Sequence, residues 1–294
     1  MREGEVRCLT VKVLANAKIN LYLDVIGRRK DGYHEIESVM QTLSLADTVS
    51  ATCTGEGITL DTGGVLPADD SNLVVRAARA YFAATKQSFG VHLQLHKVIP
   101  MAAGLGGGSA DAAATLKALN MLDRDRFTPS ELAAIGATVG ADVPFLVLGG
   151  TALCRGIGDE ITPLINRVKA SVVVAVDGEG VSTPWAFAEL DKRYNGFADF
   201  RSERTPSPLI AALEKGDFSS TVSALFNRFE AIVEPQRPAV SELKRELYRY
   251  GANAVQMSGS GPAVFGIFAD EAAAQRATDY LKNCGVRAYH SKML

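Results

Sequence analysis

The residues best equipped for chemistry lie in Pro100-Met101-Ala102-Ala103-Gly104-Leu105-Gly106-Gly107-Gly108-Ser109-Ala110-Asp111, where four glycines fall within five positions. Without a β-carbon the backbone can curl and approach a ligand closely, and successive N–H groups can point at one anion. A helix opening there adds its positive end. Such a loop suits the phosphates of a nucleoside triphosphate; the plainer alternative is a glycine-rich turn ahead of a helix. It is not a Walker A loop, which needs Gly-Lys-Ser/Thr, because Gly108 precedes Ser109 with no lysine between them. It also fails the dinucleotide fingerprint, since counting from Gly104 the third glycine position is Ser109.

The flanking elements would hold this loop in place. Val91, Leu93 and Leu95 alternate with His92, Gln94 and His96 at the period of a half-buried strand, and Ala110 to Leu122 is rich in Ala and Leu at helical spacing. Ser109 is then the expected N-cap. From Val11 to Val25 every odd position is apolar, while Lys12, Leu14, Asn16, Lys18, Asn20, Tyr22 and Asp24 form a mostly polar face that fits either an exposed strand or the lining of a ligand cleft. A loop from Gly27 to Gly32 follows, and Tyr33-His34-Glu35 leads into an alternating segment near Ile36 to Leu45. Ser71 or Asn72 caps a helix running to about Thr85, and Thr128-Pro129-Ser130-Glu131 opens one that stops at Gly140.

Farther on, Ser171 to Val176 reads as a buried strand and Thr183-Pro184 as a short helix start. Pro238 to Tyr250 reads as a helix, Ala254 to Met257 and Ala263 to Phe268 as strands, Asp270 to Asn283 as a helix and Val286 to Tyr289 as a last strand. This order matches a ferredoxin-like sandwich. Tyr194 to Pro208 is polar, with Gly196, Pro206 and Pro208, and reads as a surface loop.

With 294 residues the chain has room for two domains. Apolar residues at 47% and charged residues at 22% suit a globular protein, and no apolar run approaches the roughly 20 residues of a membrane span. Met1 to Arg7 mixes both charge signs without the apolar stretch of a secretory signal, so the expected location is cytoplasmic. Cys8, Cys53, Cys154 and Cys284 are widely spaced and read as reduced thiols, with neither a zinc pattern nor a disulfide framework. A net charge of −2 gives no general attraction for nucleic acid, so an anionic ligand must be held by local cations and amides.

Three separated motifs coincide: Ala15-Asn16-Ala17-Lys18-Ile19-Asn20-Leu21, the glycine loop, and Met257-Ser258-Gly259-Ser260-Gly261-Pro262. In that order they resemble the GHMP kinase superfamily. Asp31-Gly32-Tyr33-His34 and Gly140-Ala141-Asp142-Val143-Pro144-Phe145 draw the likeness toward its members that act on a cytidine-diphosphate-linked methylerythritol. The resemblance implies an α+β, two-domain fold: a ribosomal-protein-S5-like N-terminal domain over residues 1–165, with the ATP loop and catalytic residues, and a ferredoxin-like C-terminal domain over 166–294. It implies transfer of the γ-phosphoryl of ATP to the 2-hydroxyl of that acceptor, a step of non-mevalonate isoprenoid precursor synthesis.

By the same resemblance Asp142 matches the catalytic base and Lys18 the lysine that offsets phosphate charge. Pro100 to Ala110 would hold ATP, and Asn72 and Lys97 would contact adenine or ribose, although a cap and a surface lysine explain those two equally well. Asn20 would orient the acceptor, and Tyr33 and His34 would hold its cytidine. Phe187 is either a second stacking surface or a core residue. Ser109 would lie near the phosphates and Mg2+, or serve only as a cap; no glutamate matching a metal ligand of other superfamily members is identifiable, so water and phosphate oxygens would supply most of the coordination. Gly259, Ser260 and Gly261 would support the wall of the site. The implied partner is a small-molecule substrate, with neither nucleic acid nor membrane, for a monomer or weak homodimer. The alternatives are a homoserine- or mevalonate-type kinase of the superfamily, or a non-catalytic nucleotide-binding protein on its fold.

Overall fold

The structure is a computed structural model that describes residues 9–55, 57–86, 89–198 and 200–294; Cys8 and the charged start at Met1 to Arg7 lie outside the described residues. Period-two alternation carries the chain into two long strands, β1 (Thr10–Arg28) and β2 (His34–Thr54), and then a short β3 (Ile58–Asp61). Asn72 caps α1 (Leu73–Thr85) by accepting the Val74 N–H. After β4 (Gly90–His96) and the glycine loop comes α2 (Gly107–Leu122). A capping box of Thr128 and Glu131, with Pro129 at the first turn, starts α3 (Pro129–Ala137). It is followed by α4 (Val143–Leu148), β5 (Thr151–Arg155) and β6 (Glu160–Leu164).

The remaining elements are β7 (Ser171–Val176), α5 (Thr183–Arg193), α6 (Ser207–Lys215) and α7 (Phe218–Ser223). Next come β8 (Phe226–Asn227), α8 (Glu230–Val233) and α9 (Pro238–Arg249). The chain finishes with β9 (Ala254–Met257), β10 (Val264–Phe268), α10 (Glu271–Asn283) and β11 (Arg287–Lys292). Among the described residues no helix is long and apolar enough to cross a membrane. Cys53, Cys154 and Cys284 are thiols outside any disulfide.

The chain divides into two units that interleave in sequence. One gathers the chain up to Asn16, Ala46–Val98 and Gly107–Leu148. In it β4 pairs antiparallel with the second half of β2, from Thr48 opposite His96 to Thr54 opposite Gly90, and parallel with β3. Small residues let α2 pack closely: Ala112, Ala113, Ala114 and Ala118 are buried beside Leu116 and Leu119. A β-carbon on Gly136 would sit 2.8 Å from Val143 Cγ1, so α3 and α4 meet without a side chain between them.

The other unit gathers Ala17–Leu45, Ile99–Gly106 and Gly149–Leu294. Its four-stranded sheet has the order β11-β7-β10-β9 with antiparallel neighbours, the arrangement that a split βαβ pattern produces, as the sequence predicts. All six residues of β7 are buried, which explains the unbroken apolar run from Val172 to Val176. Its core joins Val173, Val264, Phe268, Leu243, Leu247 and Leu281 with Leu23 and Val25 of β1. The Tyr194 to Pro208 segment is not the plain surface loop its polarity suggests. Phe197 is buried, and the rings of Tyr194, Phe197 and Phe200 touch one another at centroid distances of 4.8 to 5.4 Å. Arg228 anchors them: its guanidinium lies over the Tyr194 and Phe200 rings and donates twice to the buried Asp24, at 2.6 and 2.9 Å.

Candidate active site

The glycine loop is anchored by Pro100, Ala103 and Leu105, which are buried, while Met101, Ala102 and Gly108 face outward. Gly104 has φ +80°, and a β-carbon there would fall 2.1 Å from the Ser258 carbonyl oxygen. Ser258 Oγ donates to the Gly104 carbonyl at 2.9 Å, and the Ala263 N–H donates to the Ala103 carbonyl at 3.1 Å. The Met257–Pro262 turn therefore clamps the loop. That turn is held in turn by Asn227 Nδ2, which donates to the carbonyls of Met257 (2.7 Å) and Gly259 (2.9 Å), and by Glu230, which accepts the Met257 N–H at 2.7 Å. Burial pushes the Glu230 carboxyl up from its ordinary range, against the pull of Lys244 at 3.0 Å.

Lys18 starts from the same loop, because its N–H donates to the Leu105 carbonyl at 2.9 Å. Its ammonium, on a residue 5% exposed, donates to Asn20 Oδ1 at 2.7 Å. Asn20 Nδ2 passes to Ser38 Oγ at 2.8 Å, and Ser38 donates to the Tyr22 carbonyl. The even face of β1 is exposed at Lys12 and Leu14 but is no solvated face farther on, where Lys18, Asn20, Tyr22 and Asp24 are all buried.

Tyr33 is 62% exposed. His34 is not: its ring stacks on Phe187 with centroids 4.5 Å apart and planes 20° apart, and its Nε2 lies 2.7 Å from Asp191 Oδ1. Phe187 also meets Phe229 edge-on at 5.0 Å, so it joins the core on one side and carries an aromatic ring on the other.

In the other unit, α2 begins at Gly107, two residues before the expected cap. Ser109 is therefore inside the first turn rather than its N-cap. Gly106, at φ +68°, makes the bend, and Gly107 and Gly108 already follow the helix. The first turn carries no acidic residue, so no carboxylate there competes for the N–H groups that a helix start leaves without intrahelical partners. The Gly140 turn approaches Ser109: a β-carbon on Gly140 would stand 3.9 Å from Ser109 Oγ. Asp142 heads α4, its carbonyl accepting the Leu146 N–H at 3.1 Å, and Arg76 braces the turn through the Val139 carbonyl at 3.1 Å. Asn72 serves as a cap, and Leu73 beside it reaches Gly108.

Lys97 is not a surface lysine. Its ammonium lies 2.5 Å from Asp47 Oδ2 and 2.7 Å from Asp111 Oδ2, and its side chain is 8% exposed. Asp47 also accepts the Val98 N–H at 2.5 Å, whereas Asp111 Oδ1 is buried without a hydrogen-bond partner. Burial together with the Asp47 charge pushes the Asp111 carboxyl up to about 7, against the pull of Lys97.

One unit thus collects Lys18, Asn20, Tyr33, His34, Phe187 and the loop through Gly106; the other collects Asn72, Lys97, Gly107 to Ala110 and Asp142. Sequence reasoning missed Ser38, Asp47, Asp111 and Asp191. Asp111 alone carried a signal, a charge within an alanine-rich helix. Among the described residues no three His, Cys, Asp or Glu gather where they could hold a metal ion.

The N-terminal domain model of the GHMP kinases matches residues 72–150, and the C-terminal model matches residues 209–287. A protein of Shouchella clausii called 4-diphosphocytidyl-2-C-methyl-D-erythritol kinase is 41% identical over 286 residues, covering 96% of this chain and 94% of that protein. The chain belongs to the GHMP kinase family. A crystal structure of 4-(cytidine 5'-diphospho)-2C-methyl-D-erythritol kinase superposes on this GHMP kinase with a TM-score of 0.82 at 34% identity, covering 96% of this chain and 99% of the other. The Leishmania major mevalonate kinase shares the fold at a TM-score of 0.77, with 16% identity, 100% of this chain and 98% of the other.

Proposed function

We propose that this GHMP kinase transfers the γ-phosphoryl group of ATP to the 2-hydroxyl of 4-diphosphocytidyl-2-C-methyl-D-erythritol, in the non-mevalonate route to isoprenoid precursors. The observation that carries this reading is 41% identity to a relative of that name along 96% of the chain. The site chemistry supports it. Phosphoryl transfer asks a protein chiefly for positioning and charge neutralisation. The N–H groups of the Gly104–Gly108 loop and of the first turn of α2 cradle the phosphates. The acceptor oxygen bonds to the γ-phosphorus as the bond to the β–γ bridging oxygen breaks; its proton goes to Asp142, and ADP leaves. Lys18, steered by Asn20, offsets charge on the phosphates and on the developing alkoxide. Tyr33, His34 and Phe187 hold the cytidine.

Mg2+ would suit this site as a hard cation that keeps much of its water and is held by phosphate oxygens, with the Ser109 hydroxyl as the protein's oxygen donor. When bound it neutralises phosphate charge. A coupled assay of ADP release tests the reading with a panel of alcohols, including the cytidyl substrate, homoserine and mevalonate. ADP release that depends on the cytidyl compound alone is the expected outcome. Turnover of homoserine or mevalonate in its place overturns the reading.

A further inference from the structure

Helix α5 carries Phe187 and Asp191 one turn apart, so both side chains lie on one face and meet the same imidazole. Phe187 supports the face of the His34 ring at 4.5 Å, Phe197 meets it edge-on at 5.7 Å, and Asp191 Oδ1 takes Nε2 at 2.7 Å. The ring is 9% exposed, and these three contacts fix both its plane and its rotation. The second carboxylate oxygen of Asp191 faces Arg28 at 3.4 Å. An aspartate carboxylate at neutral pH only accepts hydrogen bonds, so Nε2 must carry the proton. Spending Nε2 on Asp191 leaves Nδ1 for a ligand, and in the neutral ring that atom bears a lone pair.

We propose that Asp191 is a positioning residue that sets the hydrogen-bonding polarity of His34, so that the imidazole accepts an exocyclic base amine and separates cytidine from uridine nucleotides. Cytosine has an amine at the position where uracil has a carbonyl oxygen. A lone pair pairs with the first and is left facing another acceptor by the second, a mismatch that a polar site rejects strongly. The inference rests on the reading above that His34 contacts the cytidine of the acceptor.

Asp191→Asn tests it with little change of shape. The amide can donate to Nε2 as well as accept from it, which releases the opposite tautomer and puts a proton on Nδ1. Inhibition constants of CDP and UDP, measured against the cytidyl acceptor, should favour CDP by about tenfold or more in the wild type, a value of one satisfied polar contact. In Asp191→Asn that preference should fall to within about threefold, while KM for ATP stays within about twofold. An undiminished CDP preference, or an equal weakening of both nucleotides, overturns the proposal. His34→Ala separates the two levels of the argument: no change in the acceptor's KM removes His34 from the site and the proposal with it. A large change there, with Asp191→Asn silent, removes Asp191 alone. Nitrogen NMR of the wild type needs no variant, and with four histidines in the chain the assignment is tractable. A protonated Nε2 on His34 is expected; a protonated Nδ1 with a bare Nε2 overturns the proposal.

Discussion

Gly104 and Ser258 touch backbone to backbone: a β-carbon on the glycine would lie 2.1 Å from the serine's carbonyl oxygen, and the serine's hydroxyl bonds back to the glycine's carbonyl at 2.9 Å. Two family motifs far apart in sequence are thereby locked into one piece of backbone. The glycine loop owes its shape to this contact as much as to its own glycines.

Gly104→Ala should accordingly force the loop off the Met257–Pro262 turn and raise the dissociation constant for ATP about tenfold or more, a loss of roughly 1.4 kcal/mol or above. Gly178→Ala is the control, because Gly178 has a similar φ of +75° but open space around it. Calorimetry should find ATP affinity in that control close to wild type. Equal behaviour of the two variants would assign the effect to backbone strain alone.

Asp142→Asn should lower kcat by about 10² to 10⁴ with ATP affinity within about twofold, as for a lost general base. A variant that keeps half of the wild-type kcat would show that the hydroxyl proton goes elsewhere.

Lys97 is the ammonium shared by two buried carboxylates. Lys97→Met keeps the length of the stem and removes the cation between Asp47 and Asp111, which should cost about 3 to 5 kcal/mol of stability, the usual penalty for breaking a buried pair. Denaturant unfolding measures it. A loss below about 1 kcal/mol would mean that water reaches the cluster.

Asp111 gives a pH signature. Its folded carboxyl titrates near 7, well above the unfolded value of 3.8, because burial and Asp47 disfavour its charge. The folded chain then holds a proton that the unfolded chain has released, so this group's contribution to stability is complete below pH 3.8 and is lost as pH rises toward 7. The difference in melting temperature between wild type and Asp111→Asn should therefore shift against the wild type between pH 5 and 7.5. A constant difference across that window would place the carboxyl in its ordinary range.

What could be read from sequence was local. The caps at Asn72 and Thr128, the strand alternation before the loop and the ferredoxin-like order all depend on neighbours in the chain, and the structure has them. Ser109 reads as a cap because a Gly-Gly pair reads as loop by propensity, whereas the helix takes in Gly107 and Gly108 and starts two residues earlier. Lys97 reads as a surface residue after a polar strand end; its partners stand 14 and 50 positions away. Asp191 is 157 residues from His34, and nothing near either residue announces the other. The aromatic side chains at Tyr194, Phe197 and Phe200 were hidden by the polarity between them.

The interleaving of the two units sets a timetable for synthesis. Ser171–Val176 takes its place in the sheet between β10 and β11, and β11 is also where Ser291 Oγ accepts the Leu45 N–H at 2.9 Å. A ribosome releases Leu45 early and Arg287 almost last. Until then the five apolar residues of β7, Val172 to Val176, leave the ribosome without their strand partners, the kind of surface on which nascent chains aggregate or recruit chaperones. Closure of this unit is a late and non-local event, so its folding should be slow for its size, as high contact order dictates.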